Sequence, residues 1–124
     1  GLICIDDEKI ECGLIEINQI RREAQDPIYE WVLYYADDTI INKYWDNHYH
    51  TNGFQKININ IYELNEFDEI MKKEVLENAQ IRRIERKYEF GRMNQGITVY
   101  GTSKRINLNA DVTEKDMETV SKYI

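Results

Sequence analysis

The chain has 124 residues, of which 42% are hydrophobic and 31% charged, with one proline, six glycines and a net charge of −7. These are the values of one globular domain long enough to bury a core, and they exclude a disordered or low-complexity chain. The charge is uneven, since residues 1–71 carry 15 acids and 5 bases whereas residues 72–124 carry 8 acids and 11 bases.

In chain order, 2–6 and 9–18 read as two strands around an acidic turn, with a break at Gly13. Facing Ile5 with Ile10 puts Asp7-Glu8 in the turn and sends Cys4 and Cys12 to opposite faces, where they cannot bond. Two reduced thiols, with no secretory signal in view, place the protein in the cytoplasm. The start at Gly1 fits a domain excised from a longer chain, here 1–124 as a single unit. Residues 18–27 read as a polar loop.

The stretch 28–46, IYEWVLYYADDTIINKYWD, reads as a central hairpin turning at Asp37-Asp38, with Trp31 opposite Tyr44. Tyr29, Trp31, Leu33 and Tyr35 share the face expected to be buried. Val32, Tyr34 and Trp45 share the other, with Glu30. The strand at 54–64 has Ile57, Ile59 and Ile61 facing in, and Asn58, Asn60 and Tyr62 facing out. Residues 65–79 read as a helix, because Phe67, Ile70, Met71, Val75 and Ala79 fall at helical spacing behind Asn65 as N-cap. The segment 80–90 suits a strand in its second half. Residues 97–100 and 105–109 read as a hairpin turning at 101–104. A second helix at 113–124 is signalled by Thr113, with Asp116 three residues on and a Met117, Val120 and Ile124 stripe.

The fold expected is therefore α+β: a mostly antiparallel sheet of hairpins with two helices, 65–79 and 113–124, packed on one side. The core expected is Ile3, Ile5, Ile15, Ile17, Trp31, Leu33, Ile40, Ile57, Ile59, Ile61, Phe67, Ile70, Met71, Val75, Ile97, Val99, Ile106, Leu108, Met117 and Val120.

Three groups of residues carry candidate chemistry. Tyr35-Ala36-Asp37-Asp38 resembles the YADD motif of reverse transcriptases, in which aspartates on a hairpin turn hold Mg²⁺. That resemblance covers four residues of a family whose body far exceeds 124 residues, and an ordinary acidic turn accounts for them. Asp46, His48 and His50 fall on alternate positions, as three ligands of a metal would, but no fourth ligand accompanies them, so no cofactor is expected. Arg82, Arg83, Arg86, Lys87, Arg92, Lys104 and Arg105 are the basic concentration; with Tyr88 and Tyr100 between them they suit a phosphate backbone or a single strand. No phosphate loop, Cys-x-x-Cys pair or nucleophile elbow is present.

The first functional reading is a non-catalytic, acidic protein-binding module of the inhibitor, immunity or adaptor kind. It would contact a partner with a basic surface through Tyr34, Asp37, Asp38 and Trp45, because tyrosine and tryptophan bring large area and one polar tip to interfaces. The alternatives are a nucleic-acid-binding accessory domain using 82–105, and a small metal-dependent enzyme using Asp46, His48 and His50. No membrane-length apolar run is present.

Overall fold

The computed structural model describes residues 1–20, 28–37, 44, 57–86 and 96–124. Among these residues there are eight strands: β1 (Leu2–Ile5), β2 (Glu8–Lys9), β3 (Leu14–Ile20), β4 (Ile28–Ala36), β5 (Ile57–Leu64), β6 (Ile70–Arg86), β7 (Ile97–Ser103) and β8 (Arg105–Asn107). A C-terminal helix, α1 (Glu114–Tyr123), follows them. The strands run in the order β2-β1-β5-β6-β7-β4-β3, with β8 added beside β6. Every pairing is antiparallel.

The 17-residue β6 organises the sheet. Its first part pairs with β5 and β8, and its second part, from Gln80, pairs with β7. The register shifts near Asn78, which takes a left-handed φ of 51°, and again between Ile81 and Arg83. Bulges of this kind bend a strand and let it pass from one half of a folded sheet to the other. Ile5, Ile57, Ile59 and Leu76 from the first half and Trp31, Leu33, Ile97 and Val99 from the second join one buried cluster. The sheet therefore folds over a single core, and a smaller cluster of Leu2, Cys4, Tyr62 and Val120 lies under α1.

The expectation of two helices, 65–79 and 113–124, packed on one side is overturned: among the described residues the fold is mostly antiparallel sheet with α1 at its C-terminal end, and 65–79 is not helical. Residues 65–79 are a turn and the start of β6. Asn65 does cap, but it caps a turn, its side chain accepting from the backbone of Phe67 and Glu69 at 2.9 Å each. The helical spacing does not mark one face: Ile70 packs with the cluster under α1, Ala79 joins the main core, and Phe67 and Met71 are exposed. Within β6, Leu76, Ala79, Ile81 and Ile84 face the core, with a step of three wherever a bulge adds a residue. Phe67 (74% exposed) and Met71 (66%), with Leu108 and Met117, lie at the surface rather than in the core.

Two expected hairpins are also corrected. β4 lies between β3 and β7, so Trp31 pairs with Ile17 and Gly101, not with Tyr44. Tyr44 itself is helical and buried; Asp38, Ile40 and Trp45 lie outside the described residues. Residues 101–104 do not turn β8 back on β7. Thr102 faces Gln80 and Arg105 faces Glu77, so the two strands are successive lengths along one edge of β6. The first hairpin does form, one step tighter than expected, with Ile5 opposite Glu8 and Asp6-Asp7 in the turn. Cys4 and Cys12 carry no disulfide.

Candidate functional site

Pairing places residues of β3, β4, β7 and β6 in transverse rows. Ile17, Trp31, Gly101 and Ile81 form one row, and Ile15, Leu33, Val99 and Ile84 another, both facing the core. The rows between them face outward: Glu16, Val32, Tyr100 and Arg83 in one, and Asn18, Glu30, Thr102 and Gln80 in the next. Tyr34 extends this outer face by one step. The alternation of β4 is thus as the sequence implies, with Trp31 and Leu33 fully buried and Val32 and Tyr34 half-buried. Tyr35 departs from it: a φ of 56° turns its side chain out to solvent.

The outer face is held together by hydrogen bonds among its own side chains. Tyr34 Oη donates to Glu16 Oε2 at 2.6 Å, and Asn18 donates to Oε1 of the same carboxylate at 3.4 Å. The Tyr34 bond, then that of Asn18, holds the Glu16 carboxyl below its ordinary range and keeps it ionised, while the same bond raises the Tyr34 phenol. At the β6 side, the Arg83 guanidinium stacks 4.2 Å from the Tyr100 ring centroid and pairs with Glu85 at 3.2 Å. Tyr100 Oη donates to Glu85 at 3.3 Å, and Arg82 Nε donates to Thr102 Oγ1 at 3.0 Å. A shallow groove of about 330 Å³ runs between Glu30, Val32, Arg82, Arg83, Tyr100 and Thr102. The face is thus acidic along β3–β4, aromatic and aliphatic at its middle, and basic along β6.

Two sets of residues kept apart in the sequence meet here, namely Tyr34 from the protein-binding set and Arg82 and Arg83 from the basic set. The rest of the basic set does not join them. Arg105 sits beside the first half of the sheet, paired with Glu77 at 3.2 Å. Lys104 is exposed in the bend between β7 and β8, and Arg86 ends β6. Lys87 and Arg92 lie outside the described residues. Asp37 is exposed just past β4, its backbone N–H donating to Glu11 O at 2.8 Å. Asp46, His48 and His50 also lie outside the described residues, and among the described residues no group of three or more His, Cys, Asp or Glu is arranged to hold a metal ion.

Beyond the capping box that Thr113 and Asp116 form, a buried cluster ties α1 to the sheet. Asp116 is buried, and its Oδ2 accepts from Lys73 Nζ and from the Thr113 backbone N–H at 2.8 Å each. Its Oδ1 accepts from Tyr62 Oη at 2.7 Å. Burial pushes the carboxyl pKa up, but the donors at Lys73, Thr113 and Tyr62 outweigh it and hold the group at about 2. Burial, and then the bond to Asp116, pushes the Tyr62 phenol well above its usual range. An anion held this low with its oxygens occupied is a poor base. The cluster is a latch between α1 and the sheet. Its signal in the sequence was Lys73 and Tyr62, which only the β5–β6 register brings opposite each other.

The class this architecture defines is a folded, mostly antiparallel sheet with a C-terminal helix on one outer side. Among solved structures, Hcp1 from Flavobacterium johnsoniae is similar in fold: the TM-score is 0.51, at 10% identity, over 86% of this chain and 91% of that one. No protein-family model and no curated protein matches the chain.

Proposed function

We propose that the chain is a non-catalytic protein-binding module that docks its partner on the outer face of β3, β4, β7 and β6. The observation that carries this reading is the pairing of an unhelmeted outer face with a mixed composition. The outer side of the first half of the sheet is covered by α1, whereas among the described residues no helix covers the Val32, Tyr34 and Tyr100 side. Half-buried tyrosines ringed by charges are the composition of interface centres rather than of free surface. The acidic β3–β4 side, with Glu16 and Glu30, favours a partner whose contacting surface is basic.

Nucleic acid is the second reading, favoured by the Arg83–Tyr100 stack, a unit suited to an unpaired base. Against it, Arg83 and Arg105 already pair with Glu85 and Glu77. A phosphate would have to displace those carboxylates, on a chain of net charge −7.

The test is affinity capture by the wild-type chain and by the Val32→Glu/Tyr34→Ala variant, after confirming equal melting temperatures. A stoichiometric protein retained by the wild type and lost by the variant supports the reading. Retained material that absorbs at 260 nm, and that is released by charge reversal at Arg82 and Arg83, supports nucleic acid instead.

A further inference from the structure

The docking face ends at β3, and the two edges of the sheet are unlike. At one edge, β2 is two residues long, too short to template another strand. At the other, β3 is seven residues long and keeps an unbroken register with β4 from Leu14↔Tyr34 to Ile20↔Ile28. Its sequence, LIEINQI, contains no lysine, no proline and no bulge, and its one charged residue is Glu16. Among the described residues, no strand pairs with its far side.

The core is also open there. One strand inward, Trp31 and Leu33 are fully buried, but their row neighbours Ile17 and Ile15 pack on the same cluster while remaining partly exposed. A further strand would cover them. On the other side of β3 stands Glu16, whose carboxylate accepts from Tyr34 and Asn18, with Glu30 in the next row.

We propose that the outer edge of β3 receives an extended segment of the partner protein as an additional strand, with apolar residues beside Ile15 and Ile17 alternating with basic residues beside Glu16. This rests on the reading of the chain as a protein-binding module and names the kind of partner segment it takes. Backbone hydrogen bonds to the edge supply affinity, and alternate side chains supply selectivity. A second copy of this chain is a poor occupant, because it would bring another net charge of −7 and another Glu16 against the acidic side.

The experiment titrates the whole chain with a blocked nine-residue peptide of alternating valine and lysine. The valine–glutamate peptide and a valine–lysine peptide methylated at every backbone nitrogen serve as comparisons. Calorimetry gives affinity, and amide hydrogen exchange locates the site. The valine–lysine peptide is expected to bind saturably, roughly tenfold or more tighter than valine–glutamate, and to slow exchange within 14–20. The methylated peptide is expected not to bind, and Glu16→Lys, with an unchanged melting temperature, is expected to invert the preference. Absence of saturable binding, or protection at another strand, overturns the proposal. Slowing of 14–20 that grows with protein concentration without peptide also overturns it, by giving the edge to a second copy. The docking face is judged separately. If Val32→Glu/Tyr34→Ala abolishes partner capture while the peptide fails to bind, the edge proposal alone falls.

Discussion

Trp31 and Gly101 show how single residues set this fold. Trp31 is fully buried, and its indole lies against the Gly101 backbone, which it faces across β4 and β7. A Cβ at position 101 would sit 2.0 Å from Trp31 Cζ2, closer than any real contact. Gly101 is therefore a strand glycine kept for a close approach, not a turn residue. Gly101→Ala should lower stability by roughly 1–3 kcal/mol through overpacking, and Trp31→Ala by roughly 3–5 kcal/mol through the cavity it leaves. The two should not add. In the double variant the alanine methyl enters the space the ring vacates, so denaturant melts should show a cost well below the sum. A strictly additive result would mean that the indole does not lie where Gly101 admits it. Asn78 offers a second local test. Its φ of 51° is one that glycine adopts freely and a β-branched residue resists. Asn78→Gly should leave the melting temperature nearly unchanged, whereas Asn78→Val should cost roughly 1–3 kcal/mol.

The helix and the long strand carry the account at the next scale. The Asp116 carboxyl has a pKa of about 2 in the folded protein against an ordinary 3.8. A depressed carboxyl contributes stability that is complete above its unfolded value and is lost as pH falls through its folded one. The latch should therefore contribute about 2 kcal/mol near neutrality, and lose it progressively from about pH 4 to about pH 2. Urea melts across that range should show the loss in the wild type and a shallower slope in Asp116→Asn, with amides of α1 exchanging first. Equal pH slopes in the two proteins would contradict the latch. The helix was legible in the sequence because its signals are local: Thr113 and Asp116 make the capping box as expected. Its buried face was legible only at Val120, since Asp116 and Thr119 are buried beside it while Met117 and Ile124 are exposed. The β6 strand was misread for a related reason. Its bulges are fixed by pairing with β5 and β7, and they erase the period of two by which a strand is recognised. On strand segments that carry no extra residue of their own, as at Ile57 and Ile59 opposite the β6 bulge and at Trp31 and Leu33, alternation gives the correct face.

At the scale of the whole molecule, one outer side of the sheet is covered by α1, and among the described residues no helix covers the other. The candidate site was half legible. The phase of β4 identified Tyr34 and Val32 as outward, but not that β7 and β6 would bring Tyr100 and Arg83 into the same row, because strand order is set by long-range pairing and not by local pattern. The central claim is that this row, and not chemistry at a catalytic centre, is what the protein uses. The most direct measurement compares the affinity of the captured partner for the wild-type chain and for Val32→Glu/Tyr34→Ala, beside a control variant, Met117→Ala, on the α1 side. The account predicts that the face variant loses at least 2 kcal/mol of binding, roughly thirtyfold in Kd, with an unchanged melt, and that Met117→Ala binds as the wild type does. Undiminished binding by the face variant, or loss with Met117→Ala alone, would place the partner on the other side of the sheet and contradict the claim.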